Sequence, residues 1–287
     1  MSGRRRGVSL VELVVALGLL SLVGAVTLRV LLAFFQEVAT LRERSALQAD
    51  GRTGALLVQS ELRELGVAPG GPADLIGMAT DSITYRAPRG RGVSCWLEPG
   101  QVRILDTPLL PFSALRSISP GRDSLLLFVE GNPVSTADDL WLRLPVLSVA
   151  ASACAGSPAI AVGTVDFTPL LPGGELNAVE VGGPVQTFEV MRLKEYVSTG
   201  HRWLGLESLS GGDAVQPVLG PLSGSGVTVA YLGEAGTPTV DPRAVRSIEV
   251  MLEEATQGPV ARAWSSGPRG YVSDTIQVRV FLRNTPR

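Results

Sequence analysis

The sequence predicts an α+β protein in which one long N-terminal helix carries a large antiparallel β domain. Three observations lead to this fold class. An apolar run occupies residues 13–28, a helical spacing of apolar residues continues to Leu65, and from Asp74 onward apolar residues alternate with a period of two. The first two features indicate a continuous helix, and the third indicates half-buried strands.

The stretch 8–28 has the length of a membrane span. As a helix at about 1.5 Å per residue it would extend roughly 31 Å, which matches the roughly 30 Å hydrocarbon core of a bilayer. Arg4, Arg5 and Arg6 precede it, and the positive-inside rule keeps that end in the cytoplasm. We therefore expect a single-pass segment with its N-terminus inside and its C-terminus outside.

One carboxylate interrupts the apolar run. Glu12 lies about one helical turn into the stretch, and a charge held deep in hydrocarbon costs on the order of 2.5–3.5 kcal/mol on insertion scales. A negative charge near a helix N-terminus opposes the positive end of the helix dipole. We expect Glu12 to lie near an interface or to meet a partner of opposite charge.

The residues around Glu12 resemble a known signal. A basic leader, Gly7, one apolar residue and then Ser9-Leu10-Val11-Glu12-Leu13 is similar to the class III signal of type IV prepilins and type II secretion pseudopilins. The resemblance implies that a prepilin peptidase cuts after Gly7 and methylates Val8 as the new amino terminus. It also implies that Glu12 pairs with the terminal amine of a neighbouring subunit. The family usually has Phe where this chain has Val8.

The same resemblance implies a domain layout. Residues 1–7 would be the leader, 8–28 the transmembrane half of the helix, 29–66 its amphipathic half, and 74–287 an extracytoplasmic β-rich domain. This is a pilin-like arrangement, and the segment from Gln48 to Gly66 looks most like the large minor pilins of the W type and the minor pseudopilins of the J type.

The implied function is that of a minor pilin or pseudopilin, a non-enzymatic subunit that acts in filament initiation or at the tip. Its partners would be prepilin peptidase, other subunits through the N-terminal helix, and the inner membrane. The bacterial precursor would lie in the inner membrane, and the assembled protein in the periplasm or in a cell-surface pilus. A type IV pilus would imply adhesion, motility or DNA uptake, and a pseudopilus would imply type II protein secretion.

Other readings of the N-terminus remain open. It is compatible with an ordinary secretory signal cut near Gly24 and Ala25, although Glu12 makes a poor signal core, and with a plain anchor. The alternative function is a membrane-anchored extracytoplasmic ligand-binding domain with no filament role. An enzyme ranks third.

The helical pattern runs from Val8 to Leu65, about 87 Å at 1.5 Å per residue. Gly51 and Gly54 each cost up to about 1 kcal/mol inside a helix, so we expect a bend or local loosening there. Gly66 and the following Pro- and Gly-rich residues end the helix.

The β domain has ten candidate strands. We expect Ala244–Glu253 to pair with residues 274–283 as a hairpin, and we read Gly220–Gly226 as a turn that leads into a strand at Val227. The candidates are Ser82–Arg86, Val102–Leu105, Ser124–Glu130, Asp139–Leu144, Ala159–Phe167, Gln186–Val197, Arg202–Glu207, Val227–Leu232, Ala244–Glu253 and Thr275–Phe281.

Cys95 and Cys154 are the only cysteines. In an exported domain such a pair tends to close, and a bridge would restrain the unfolded chain by roughly 4 kcal/mol. The alternative is two buried free thiols, which a cytosolic location would favour.

The sequence offers little catalytic chemistry, and we assign no catalytic residue, cofactor or metal site. His201 is the only histidine, and no nucleophile is tied to it. Asp138 and Asp139 form an acidic pair that could help bind calcium but lack an oxygen-rich loop. The formal net charge of −2 does not indicate a nucleic-acid partner. Among the four tryptophans, Trp264 is a candidate contact residue, because we expect it in a loose loop.

Overall fold

The computed structural model describes residues 9–66, 73–130, 139–171, 181–260 and 270–283. One long helix and a large antiparallel sheet make up the regular structure, which confirms the predicted α+β class. The chain forms two compact units. The first comprises Met1–Ala49 with Ala255–Ser273, and the second comprises Asp50–Glu254 with Asp274–Arg287.

Helix α1 runs from Leu10 to Arg63 without interruption. At 1.5 Å per residue its length is about 81 Å, close to the predicted length. Beyond the C-terminal end of the helix, Gly66 and Asp74 form two hydrogen bonds. The Gly66 amide donates to Asp74 Oδ2 at 2.9 Å, and the Asp74 amide donates to the Gly66 carbonyl at 2.9 Å. Helix α1 thus ends three residues before Gly66, close to the end that the sequence predicts.

The strands form one antiparallel sheet of thirteen strands within the described residues. Its main path is β13-β12-β11-β10-β9-β2-β3-β8-β7; β1 and β4 pair with β2, and β5 pairs with β6 and β9. The strands are β1 (Leu75–Met78), β2 (Ser82–Glu98), β3 (Gln101–Leu105), β4 (Ser113–Ala114), β5 (Ser124–Val129), β6 (Leu140–Pro145), β7 (Ser148–Cys154), β8 (Ser157–Gly163), β9 (Pro184–Ser198), β10 (His201–Ser208), β11 (Gln216–Leu232), β12 (Ser247–Ala255) and β13 (Ser273–Phe281).

All ten predicted strands are confirmed, and the last two, β12 and β13, are neighbours as expected. Strands β1, β4 and β7 are additional. The predicted turn at Gly220–Gly226 is wrong, because these residues lie inside β11. The pairing of β11 with β12 shifts register between Leu222 and Val227, where Gly224 and Gly226 have φ of 49° and 69°. A local irregularity of the ladder thus accommodates glycines that elsewhere would make a turn.

Two hydrophobic clusters fill the second unit. In the first, the C-terminal part of α1 contributes Val58, Leu62 and the following Leu65, all fully buried, against side chains of the sheet such as Ile83 and Ile248. The second cluster lies beneath β3, β5, β6 and β8 and includes Phe167. The helix therefore packs on one part of the sheet through the first cluster.

The two glycines expected to loosen the helix have another role. Helical structure continues through Gly51 and Gly54. A Cβ atom at Gly54 would lie 2.9 Å from Leu219 Cδ1, and one at Gly51 would collide with Ile276 Cδ1. Both glycines allow close approach of the helix to the sheet, which offsets their low helix propensity.

The predicted disulfide is present. Cys95 in β2 and Cys154 at the end of β7 are bonded, with their Cα atoms 6.1 Å apart and a sequence separation of 59. Cys154 pairs with Ser157 across the tight turn at Ala155 and Gly156, so the bond fixes the tip of the β7–β8 hairpin to β2.

Candidate functional site: an exposed apolar helix with one acid

The N-terminal part of α1 presents an exposed surface that is mostly apolar. From Leu10 to Phe35 every residue is exposed, and none of the 18-residue window with a mean hydropathy of 2.3 is buried. The helix is long and apolar enough to cross a membrane. Soluble domains rarely expose so large a continuous apolar surface, so lipid or other helices are the environments that suit it.

Glu12 lies in the first turn of this helix. Its side chain is exposed, and it is the only charged residue between Leu10 and Leu28. The first turn is where a carboxylate gains from the free amide groups and the positive end of the dipole. Ser9 accepts a hydrogen bond from the Leu13 amide at 3.1 Å, so the helical bonding starts immediately before Glu12.

The remaining polar groups of the apolar segment are satisfied within the helix. The hydroxyl of Ser21 donates to the Leu17 carbonyl, and that of Thr27 donates to the Val23 carbonyl, both at 2.8 Å. Such back-bonding gives each hydroxyl a hydrogen-bond partner within the helix. Glu12 is thus the exceptional polar group between Leu10 and Leu28, and its exposed carboxylate makes no hydrogen bond or ion pair with the residues that the structure describes.

Gly18 and Gly24 differ from the two glycines that face the sheet. A Cβ atom at either position would meet nothing within 4 Å in this chain. Small residues on a membrane helix permit close approach of a second helix. The two positions are therefore places where a neighbouring helix could pack closely.

The leader positions lie outside the described residues. Gly7 and Val8, the predicted cut and methylation sites, are among residues 1–8, which the structure does not describe. The structure places Glu12 in the first helical turn, as the sequence predicts.

The other candidate residues do not converge. His201 is exposed at the start of β10, and Asp139 is half-buried just before β6, while Asp138 lies outside the described residues. No group of three or more His, Cys, Asp or Glu suited to a metal ion occurs in the described part of the chain. Trp264 also lies outside it.

The sequence interpretation missed a buried charge network in the β domain. Glu189 in β9 is 2 % exposed and contacts three arginines: Arg89 at 2.9 Å, Arg116 at 3.1 Å and Arg122 at 2.5 Å. Arg116 also forms a two-bond pair with Asp123 at 2.6 and 2.7 Å. No sequence signal indicates this convergence, because its members are up to 100 residues apart.

The network has a clear electrostatic consequence. Burial raises the pKa of Glu189, but hydrogen bonds from Ser208 and the three arginines outweigh burial and lower the pKa to about 2. Arg89 also lies 3.7 Å from Glu61 of α1, so the network reaches the helix. Since acids and bases are paired within it, we interpret it as a structural centre of the β domain.

Comparisons with family models, with curated proteins and with solved structures found no match for this chain.

Proposed function

We propose that the chain is a minor pilin or pseudopilin, a structural subunit of a type IV pilus or a type II secretion pseudopilus. The observation that carries the proposal is the exposed apolar stretch of α1 from Leu10 to Leu28, whose only acid, Glu12, lies in the first helical turn. An ordinary anchor needs the apolar residues but not the acid, because an unpaired carboxylate opposes insertion.

The length of the helix supports the same proposal. A bilayer core needs about 20 helical residues, and α1 has 54. Its last part buries Val58 and Leu62 against the sheet, which rigidly couples the end of the helix to the β domain. An exposed apolar stretch at the N-terminal end of such a helix suits side-by-side packing with other helices in a filament core.

In the proposed assembly, prepilin peptidase removes residues 1–7 and methylates Val8. The precursor lies in the inner membrane with its β domain outside, and helices then leave the bilayer and bundle with those of other subunits. Glu12 neutralises the terminal amine of a neighbour. In the low dielectric of a helix bundle an unpaired charge costs several kcal/mol, so pairing favours the correct axial register.

The size of the β domain favours a rare subunit. A domain that spans residues 74–287 occupies much more lateral space than the helix that carries it, whereas repetitive packing suits small domains. We therefore place the subunit at the tip or at the start of the filament. Its disulfide, Cys95–Cys154, is compatible with an oxidising compartment outside the inner membrane.

Mass spectrometry of the cellular protein tests the processing step. We expect a chain that starts at Val8 and carries a methylated amine in cells with active prepilin peptidase. A chain that starts at Met1, or one cut near Val26, would contradict the proposal and favour an anchored or secreted ligand-binding domain.

The substitution Glu12→Gln tests the charge pair. It keeps the shape of the side chain and removes its charge, so membrane insertion should persist while incorporation into filaments falls at least about tenfold, as the loss of one buried charge pair predicts. Glu37→Gln is the matched control, because Glu37 is an exposed acid further along the same helix. Equal incorporation of both variants would refute the pairing role.

A further inference from the structure

Strand β7 is an open edge of the sheet. It ends the path of strands and pairs, within the described residues, with β8 alone. Ser148 to Ala151 and Ala153 are exposed, so β7 is accessible from both faces. An edge strand presents unpaired backbone groups to any strand that approaches it.

The register of the neighbouring strand shows which groups these are. Pro158 of β8 has no amide hydrogen, and its carbonyl accepts from the Asp106 amide, beside β3, at 3.1 Å. The polar backbone of Pro158 is therefore turned toward β3. Because direction alternates along an antiparallel strand, Ile160 and Val162 are turned toward β3 as well.

Their partners on β7 are turned the other way. Ala151 lies opposite Ile160 and Val149 opposite Val162, so the N–H and C=O groups of Val149 and Ala151 point to the open edge. The next outward residue, Ala153, already has its carbonyl bonded to Arg103 Nη1 at 3.3 Å. Val149 and Ala151 thus offer the hydrogen-bonding positions for an added strand.

The side chains of β7 supply neither of two usual protections of a sheet edge. Natural sheets guard their edges with charged side chains or proline, and the sequence Ser-Val-Ala-Ala-Ser-Ala-Cys contains neither. The hairpin is also held in place, since Cys154 at its tip is bonded to Cys95. The edge is therefore pre-organised, and the side chains of β7 itself carry no charge.

A cavity of about 460 Å³ lies beside this edge. Residues of β7 form one wall, and Phe112, Ile118 and Ile160 supply large apolar groups. Asp106 is the only ionisable residue that lines it. The volume is in the range of sites that hold a bulky side chain or a small ligand.

The cavity decides between two kinds of incoming strand. A second copy of this chain would bring its own β7, whose largest side chain is Val149, and would leave the cavity unfilled. A strand with a large apolar side chain would fill the cavity while its backbone pairs with β7. The uncharged side chains of β7 also offer no ion pair to a charged segment.

We propose that β7 and this cavity form a docking site for an extended, uncharged segment of another protein, which pairs with Val149 and Ala151 and places an aromatic or large aliphatic side chain in the cavity. The mode of binding is strand addition to a sheet edge, in which the backbone gives affinity and a pocket gives selectivity. The site does not depend on a filament role for the chain.

The test uses the full chain in detergent micelles and the probe acetyl-Thr-Thr-Phe-Thr-Thr-amide. We expect the probe to slow hydrogen exchange of the Val149 and Ala151 amides, and we expect the analogue with Ala in place of Phe to bind about tenfold more weakly because it leaves the cavity empty.

Two variants separate the edge from the cavity. Ala151→Pro removes one outward donor without touching a bond to β8, and Ala151→Ser is its control of similar size. Ser117→Trp fills the cavity from an exposed position and leaves the edge intact. Both Ala151→Pro and Ser117→Trp should abolish the protection, whereas Ala151→Ser should retain it.

Three results would overturn the proposal. They are an absence of protection at saturating probe, protection that neither Ala151→Pro nor Ser117→Trp reduces, and protection of the two amides without probe that grows with protein concentration. The last result would mean that a second copy occupies the edge.

Discussion

Glu189 and Glu254 are both buried carboxylates of the sheet, and their surroundings are opposite. Glu189 is 2 % exposed and receives hydrogen bonds from three arginines, whereas Glu254 is 1 % exposed and its Oε1 has no hydrogen-bond partner among the described residues. The pKa of Glu189 falls to about 2, while burial, with Asp50 and Asp274 nearby, raises the pKa of Glu254 to about 7. Two equally buried carboxyl groups therefore have pKa values shifted in opposite directions, and their neighbouring groups determine the direction.

The difference also separates two ways of holding a helix on a sheet. Around Glu189, charges are matched, and the network extends through Arg89 to Glu61 of α1. Around Glu254, the carboxyl group lies against Gly51 of the same helix, where a Cβ atom would be 3.0 and 3.2 Å from its two oxygens. The Glu189 network is stabilising when its carboxylate is ionised, whereas the site of Glu254 favours a neutral carboxyl group.

The largest expected effect is that of Glu189→Ala. Removing this carboxylate leaves three arginines without their shared partner, and breaking a buried ion pair typically costs about 3–5 kcal/mol. Denaturant unfolding of the β domain, followed by tryptophan fluorescence, should show that the free energy of unfolding falls by this amount.

Glu207→Ala is the control for that measurement. Glu207 contacts Lys194 at 2.9 Å and Arg192 at 3.4 Å on the same sheet, with 11 % of its side chain exposed. Pairs nearer the surface contribute about 0–1 kcal/mol. If both variants lose the same free energy of unfolding, the Glu189 network contributes no more to stability than the Glu207 pairs.

These residues also indicate how far sequence reasoning reaches in this chain. The apolar run, the three-four spacing and the alternation depend on neighbouring residues, so they predicted α1, most strands and the position of Glu12 in the first turn. The cysteine pair was predictable because the chain has only two. The network around Glu189 was not, because it depends on strand pairing between residues far apart in the chain.

Strand β7 illustrates a second limit. Its residues are small and uncharged, so no bulky alternation marks it as a strand. The role of Gly51 and Gly54 was equally hidden, since helix propensity predicts loosening and only the adjacent sheet explains why a side chain would not fit. In both cases the sequence pattern does not show which residues, far away in the chain, lie next to these positions in the fold.

Gly51→Ala should have the next largest effect. The added methyl group would meet Ile276 and both oxygens of Glu254, and overpacking of this kind costs about 1–3 kcal/mol. Gly18→Ala is the matched control, because open space surrounds that position and alanine favours a helix. Hydrogen exchange in residues 50–63 should accelerate for Gly51→Ala and not for Gly18→Ala. Unchanged exchange in Gly51→Ala would mean that the helix moves to accept the methyl group without a loss of stability.

Glu254→Gln has the smallest expected effect and the most specific one. The folded-state pKa of Glu254, about 7, exceeds its ordinary value of 4.5, so the folded state binds the proton more tightly than the unfolded state. The contribution of Glu254 to stability is thus most favourable below pH 4.5, declines as the pH rises to about 7, and is constant above that. Glu189 acts in the opposite direction and in a lower range. Its stabilising contribution is present above pH 4.5 and is lost as the pH falls toward 2.

Glutamine keeps the shape of the neutral carboxyl group and does not titrate, so Glu254→Gln should remove the decline between pH 4.5 and 7. At pH 8 the variant should be more stable than the parent chain by about 1–2 kcal/mol, the usual scale for relieving a buried polar group of an unfavourable charge. At pH 4.5 the two proteins should unfold at the same denaturant concentration. If the stability of Glu254→Gln still declines between pH 4.5 and 7, another group causes the decline. Burial raises the pKa of Asp74 to about 6, so Asp74→Asn is the next variant to test.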